Sequence, residues 1–289
     1  MSDRQDAVAA AFIEACLAEL DAPKPGNVHR FAPGHGMSVN DFIRSAEVSA
    51  AAIASRGARV GVRVRRAVDA TLSAVRQNTN LGIILLCAPL AVASEIDGVS
   101  LRPAIASVLD DLDRADATNV FAAIAAASPA GLGRAARHDV RAPATVTLRE
   151  AMAEAADQDS IARQYVTGYE DIFSIGLPAL GAARRRGYEA SWSTLAVYLT
   201  FLAAMPDTHI IRKFGAATAE AVRSEAADWS DEFAAARDPA AMTERLLTWD
   251  RALKARGINP GTSADLTVAT LFASRLCLMF GLPLRPNGD

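Results

Sequence analysis

Leu81-Gly82-Ile83-Ile84-Leu85-Leu86-Cys87-Ala88-Pro89-Leu90-Ala91-Val92-Ala93 carries no polar side chain. A surface helix keeps one polar face, so a helix that is apolar all round is buried on every side. The run is too short to cross a bilayer, which needs about 20 apolar residues. It predicts a soluble protein assembled around a central helix. Outward from it, apolar residues recur at helical spacing almost everywhere. Val8, Phe12, Cys16 and Leu20, with Ile13 and Leu17 beside them, form one stripe. Ser38 with Asp41, and Thr147 with Glu150, have the spacing of capping boxes that open helices. The first of these helices runs to about Arg56, and 60–77 continues as a helix with a basic face of Arg63, Arg65 and Arg66. Helical patterns return over 159–173, 177–186, 192–205, 210–236, 239–256 and 264–280. Gly187, Gly257 and Gly281 stand where a helix-ending glycine belongs. Val140–Leu148 is the plausible extended stretch, and it contains Pro143. The expectation is an all-α fold: a single-domain bundle over residues 1–289, of roughly ten helices with the central one buried.

Among 289 residues, 51% are hydrophobic and 22% charged, enough for a substantial core. A net charge of -3 gives no electrostatic footprint for nucleic acid, and 6% aromatic residues argue against stacking on single strands. Cys16, Cys87 and Cys277 lie far apart in apolar segments and read as buried thiols of a reducing compartment. The first residues lack a signal-peptide pattern, so a cytoplasmic address and no membrane partner are expected. A homodimer is compatible with this much apolar helical sequence.

Five polar interruptions carry the chemistry. Pro23-Lys24-Pro25-Gly26-Asn27-Val28-His29-Arg30 combines helix-stopping prolines and a glycine with three groups that can meet an anion, Lys24, His29 and Arg30, and one amide, Asn27. A helix-ending turn with solvated charges fits the same residues. Asn78-Thr79-Asn80-Leu81-Gly82 can cap the central helix, or expose its first-turn amides to an anion. Tyr169-Glu170-Asp171, ahead of a Gly176-Leu177-Pro178 turn, offers a carboxylate for magnesium or general-base work, with Glu170 read as solvated. In Met205-Pro206-Asp207-Thr208-His209, Asp207 reads as an N-cap. His209, Arg212 and Lys213 then share a face near the helix's positive end, a conflict that an anionic ligand would resolve. Asn259-Pro260-Gly261-Thr262-Ser263-Ala264-Asp265 reads as a cap at Ser263 with Asp265 in the first turn. His29, His35, His138 and His209 fall into no zinc spacing, and there is no phosphate-binding loop, dinucleotide fingerprint or nucleophile elbow.

Taken in order, PKPGNVHR (23–30), MSVNDFIRSA (37–46), NTNLG (78–82), the GLP turn after Asp171, PDTHIIRKFG (206–215) and NPGTSADL (259–266) resemble the triphosphoribosyl-dephospho-coenzyme-A synthase family. The resemblance implies an all-helical transferase that uses ATP as substrate. A ribose hydroxyl of dephospho-coenzyme A attacks the anomeric carbon of ATP, adenine leaves, and the triphosphate stays on the transferred sugar. It implies Lys24, His29 and Arg30, in a turn shaped by Gly26 and Asn27, as phosphate ligands, with Arg212 and Lys213 as a second clamp. Asn78, Asn80 and Gly82 would hold sugar or phosphate, and Ser263 would contact the nucleotide. Asp171 and Asp207 are its candidates for magnesium or for facing the oxocarbenium centre, Asp265 is a further metal candidate, and His209 joins the catalytic group. Citrate-lyase-type members carry a lysine where this chain has Leu81, and commonly an asparagine at His209. These departures point to a divergent branch, whose acceptor could be another nucleotide or a pterin intermediate. The competing readings are a kinase or ligase step in assembly of a tetrahydromethanopterin-type cofactor, and a non-catalytic nucleotide-binding helical protein.

Overall fold

A computed structural model of the chain describes residues 2–128 and 137–281. Within them lie fourteen α-helices and no strand. In order these are α1 (Ser2–Leu20), α2 (Val39–Ile53), α3 (Val60–Val75), α4 (Leu81–Ala93), α5 (Leu101–Asp110), α6 (Arg114–Ala127) and α7 (Leu148–Ala155). There follow α8 (Ser160–Thr167), a π turn (Ile172–Gly176), α9 (Leu177–Arg185), α10 (Ala190–Ala204) and α11 (Thr208–Phe214). Last come α12 (Ala216–Ala235), a 3₁₀ turn (Pro239–Met242), α13 (Thr243–Ala255) and α14 (Gly261–Phe280).

The class is as expected; the count exceeds ten for local reasons. The periodic stretch 210–236 is two helices, because Gly215 takes φ +84° and turns the chain between α11 and α12. Residues 101–127 fold as the additional pair α5 and α6. The Gly176-Leu177-Pro178 turn is no turn. The π turn runs directly into α9, and Pro178 stands at the junction in the first turn of that helix. The segment 140–147 is irregular and pairs with no strand. Arg63 does not belong to a solvated basic face: it is buried, and its guanidinium is held by the carbonyls of Ile53 and Ala58 and by Glu95.

Burial of α4 is nearly complete, with only Val92 half-buried. Pro89 inside it has no N–H, so the Leu85 carbonyl one turn earlier loses its helical partner. The Tyr165 hydroxyl supplies the missing donor at 2.6 Å, and Tyr169 bonds the Leu86 carbonyl at 2.9 Å. The break after α8, with Gly168 and Tyr169 both at positive φ, brings the second tyrosine into place.

Two apolar clusters build the interior. One gathers α1 to α8 with most of α14; the other gathers parts of α10 to α13 with Ala22, Ile258 and Ala264. Helix α14 crosses between them, Ala264 lying in the second cluster and Leu266 onward in the first. It is long and apolar enough to span a bilayer, but 72% of its apolar window is buried inside the fold. The polar interruptions of the sequence converge on the seam between the clusters.

Candidate functional site

Asp207 anchors the seam. Its Oδ1 accepts the N–H groups of His209 (2.9 Å) and Ile210 (3.2 Å), capping α11 as the sequence suggested. Its Oδ2 accepts both the N–H and the hydroxyl of Ser263, each at 2.8 Å. Ser263 is therefore not a cap. Helix α14 opens earlier, at Gly261, and Ser263 gives its donors to Asp207. Burial pushes the Asp207 carboxyl up, and these four hydrogen bonds pull it back. Its acceptor sites are filled by α11 and α14, so the structure places it as a cross-link between helices and not as a metal ligand.

Two residues further along α14, Asp265 is half-buried and has no hydrogen-bond or ion-pair partner among the described residues. Its carboxyl lies against the start of α4. A Cβ at Gly82 would overlap Oδ2 of Asp265 and stand 2.6 Å from its Cγ, so only glycine allows the approach. Desolvation raises the Asp265 pKa well above the usual carboxylate value, and Glu19, Asp207 and Asp159 push it further. The result is a partnerless carboxyl group, resistant to ionisation, beside a helix N-terminus.

The asparagines before α4 have anchoring contacts. Asn78 Oδ1 accepts the Leu81 N–H at 3.2 Å. Asn80 Nδ2 donates to the Ser49 hydroxyl at 3.3 Å, and Ser49 donates to the Ser45 carbonyl. Ser45 and Thr79 share a further hydroxyl contact. Together they tie the start of α4 to α2.

On the other flank, Asp159 caps α8 by accepting from Ile161 and Ala162 and receives Arg212 Nη1 at 2.6 Å. Asp171 is held by Arg163 at 2.6 Å and by the Gln164 amide. Gln164 is fully buried, and its Oε1 has no partner.

The Pro23–Arg30 turn is inverted relative to the expectation. Every residue in it except Arg30 is buried. Lys24 spends its three protons on Glu19 Oε1 (2.9 Å), the Glu19 carbonyl (2.9 Å) and the Val28 carbonyl (2.8 Å). Burial pushes Lys24 down and Glu19 up, while each partner's charge opposes the shift. Gly26 N–H donates to Asp250 Oδ1 (2.8 Å), Asn27 Nδ2 to Asn259 Oδ1 (2.8 Å), and Tyr198 to the Pro25 carbonyl (2.6 Å). His29 is buried with Nε2 3.4 Å from Asp250 Oδ2. Arg30 faces outward in an ion pair with Asp21. The turn braces α1 against α10, α13 and the start of α14. Lys24 and His29 are thereby withdrawn from a phosphate-binding surface.

The basic residues of α11 follow directly on Asp207. His209 packs over Gly261, where a Cβ would meet its Nδ1 at 2.9 Å. Desolvation, then the charges of Arg212, Lys213 and His35, push His209 down to about 4. Lys213 is exposed and has no carboxylate partner among the described residues. Arg212 lies within electrostatic reach of both Asp265 and His209 and joins the inner acid to the outer cations.

Magnesium can be tested against these donors. No group of three or more metal-ligating side chains occurs among the described residues. Both oxygens of Asp207 are occupied, Asp171 is held through Oδ2 alone, and Asp265 has no partner among the described residues. Isolated carboxyl groups without a cluster fit an ion that arrives on a polyphosphate and keeps most of its water, and do not fit a pre-built protein cage.

Sequence reading missed Glu19, Asp159, Arg163, Gln164, Asp250, Lys254 and the half-buried His35. The one local signal was the Asp159-Ser160 start of a periodic segment, a recognisable cap. Two surface cavities of about 410 and 330 Å³ lie elsewhere, one around Trp229 and Trp249, one around Arg59. In the second, Arg59 is already satisfied by Asp111 and Asp116.

The fold is all-helical, and its seam brings together a partnerless carboxyl, a helix N-terminus and the basic residues of α11. The sequence profile described as ATP:dephospho-CoA triphosphoribosyl transferase (CitG) matches residues 5–282, and the chain belongs to that family. It is a transferase of cofactor biosynthesis. A crystal structure from Archaeoglobus fulgidus, assigned as a triphosphoribosyl-dephospho-coA synthase, is similar at a TM-score of 0.63 and 26% identity. That match covers 83% of this chain and 99% of the other. The comparison with curated proteins found no match.

Proposed function

We propose that this site transfers the triphosphoribosyl group of ATP to a ribose hydroxyl of dephospho-coenzyme A, with release of adenine. The carrying observation is Asp265, a partnerless acid whose pKa is raised and which is fitted against Gly82 at the α4 N-terminus. In the reaction the bond from adenine nitrogen to the anomeric carbon breaks, and a bond from the acceptor oxygen to that carbon forms. The hydroxyl loses a proton and adenine gains one.

One acid closes that balance. Protonated Asp265 gives its proton to the departing adenine. The carboxylate left behind faces the electron-poor sugar, as in glycoside hydrolysis, and takes the proton of the attacking hydroxyl. Arg212 and Lys213 lie on the outward side, where phosphates can be met by charge-assisted hydrogen bonds. A magnesium ion brought by the triphosphate would neutralise part of its charge there.

The test is product analysis. The purified protein is incubated with ATP, magnesium and dephospho-coenzyme A, and the products are resolved by chromatography and mass spectrometry. Free adenine with a triphosphoribosyl adduct is expected. ADP or AMP in place of adenine would replace this reading with kinase or ligase chemistry. Binding of ATP without any product would leave a nucleotide-binding protein.

A further inference from the structure

His35 belongs to none of the groups placed so far, yet its backbone is unusual. Gly34 and Met37 pair across a tight turn, with Met37 N–H donating to the Gly34 carbonyl at 3.0 Å. The two central residues both take positive φ, +57° at His35 and +75° at Gly36. Such a turn favours asparagine and glycine, and a histidine there is strained. The tip is open at Gly36, where a Cβ would meet nothing within 4 Å, while His35 is half-buried. One contact does orient the ring: Nε2 lies 2.8 Å from the Gly26 carbonyl and so carries its proton there. Nδ1 is then the free nitrogen.

The surroundings of the ring are cationic. Lys254 from α13 supports the turn from behind, its Nζ donating to the Ala32 carbonyl (3.2 Å) and Asp250 (3.0 Å), and its Cε would stand 3.0 Å from a Cβ at Gly34. His35 reaches Gly26, Gly26 packs on Pro260 and the next residue, Gly261, packs under His209, so the turn abuts the start of α11. Lys213 and His209 lie within electrostatic reach of His35, as does Asp250, already bonded to Gly26 N–H and Lys254. Burial, Lys213 and Lys254 hold the free His35 below its ordinary value, against the Gly26 contact and Asp250. Lys213 is therefore the charged member of a rim that includes the two histidines, both held below the ordinary histidine range, and Arg212, paired with Asp159, lies between this rim and Asp265.

We propose that His35 is a phosphate-binding residue of this rim, acting with Lys213 on the polyphosphate of the donor through Nδ1. The geometry sets the direction. The sugar must reach Asp265 for its glycosidic bond to break, so the chain of phosphates runs outward along Arg212 to the rim. The assignment of the rim to the donor rests on the transfer reading above; the affinity of the rim for a polyphosphate does not.

A bound polyphosphate stabilises the charged imidazole, so binding takes up a proton and tightens as pH falls towards the range of a histidine. Inorganic tripolyphosphate is the probe, which separates the rim from the chemistry. His35→Asn suits the left-handed backbone and removes the ring. The variant should lose about tenfold in tripolyphosphate affinity near pH 6 and less than about twofold near pH 8. Titration of the probe itself cancels in the comparison with the unaltered protein. Calorimetry in buffers of different ionisation enthalpy should show proton uptake that His35→Asn abolishes. Lys213→Ala should weaken binding about tenfold at both pH values.

A reading independent of variant folding comes from the unaltered protein. The His35 ring signal in NMR should titrate higher with tripolyphosphate than without. An unmoved His35 titration, or wild-type affinity and proton uptake in folded His35→Asn, overturns the proposal. If adenine is released while these tests fail, the rim is wrong and the reaction stands. If they succeed without adenine release, the rim stands and the reaction is wrong.

Discussion

Asp265 differs from the chain's other site carboxylates in having nothing to do. Asp207 accepts four hydrogen bonds, Asp159 and Asp171 hold arginines, and Asp250 holds Lys254 and the Gly26 N–H. An acid without partners costs stability, because the folded protein resists its ionisation and the unfolded chain does not. Its folded pKa lies above its unfolded value, so the folded state binds more protons and stability falls as pH rises through that interval. Asp265→Asn removes this term. The variant should melt higher than the unaltered protein near neutral pH, and the advantage should vanish below about pH 4, where both forms are neutral. Adenine release should meanwhile drop by about 10² to 10⁴. Melting curves across pH, with the product assay, check both halves. Full activity in the variant would remove Asp265 from the chemistry.

At the scale of elements, the helices most legible in the sequence are those whose ends are written locally. Helix α4 occupies the apolar run from end to end, and Ser38 with Asp41 and Thr147 with Glu150 form the capping boxes their spacing promised. The division between α11 and α12 was hidden, because apolar residues keep helical spacing across Gly215 and only its backbone angle breaks the helix. Ser263 was misread for a related reason: a serine near a helix start looks like a cap until another helix claims its donors. That claim makes Asp207 a joint between α11 and α14. Asp207→Asn keeps one acceptor oxygen but turns an amide donor toward the Ser263 N–H. It should cost about 2–3 kcal/mol, or roughly 4–6 °C in melting temperature for a chain of this size. Glycosidic cleavage at a temperature where the variant is folded should survive within about tenfold. A variant with unchanged melting and lost cleavage would instead place Asp207 on the substrate.

The whole molecule explains why the most conspicuous motif misled. Lys24 and His29 look like anion ligands in a rigid turn, but Lys24 is claimed by Glu19 and two nearby carbonyls, and His29 and the Gly26 N–H by Asp250, a partner 224 residues beyond Gly26 that an ordinary helical pattern conceals. Local sequence supplied the turn; only the tertiary fold shows that it points inward. The same long-range packing places Asp265 and the α11 cations at the seam of two apolar clusters, with α14 crossing between them. Sites at such seams bind ligands by touching both sides. A nucleotide bridging Asp265, Arg212 and the rim should therefore tighten the two halves together. With magnesium and ATP at about 100 times Kd, linkage adds about 2.7 kcal/mol, equivalent to roughly 5 °C at about 2 °C per kcal/mol. Hydrogen exchange should slow at the start of α4 and across α11 and the first turns of α14 in the same experiment. Protection confined to α11, with α4 exchanging as before, would show that the ligand stays on the outer cations and never reaches the acid beside Gly82.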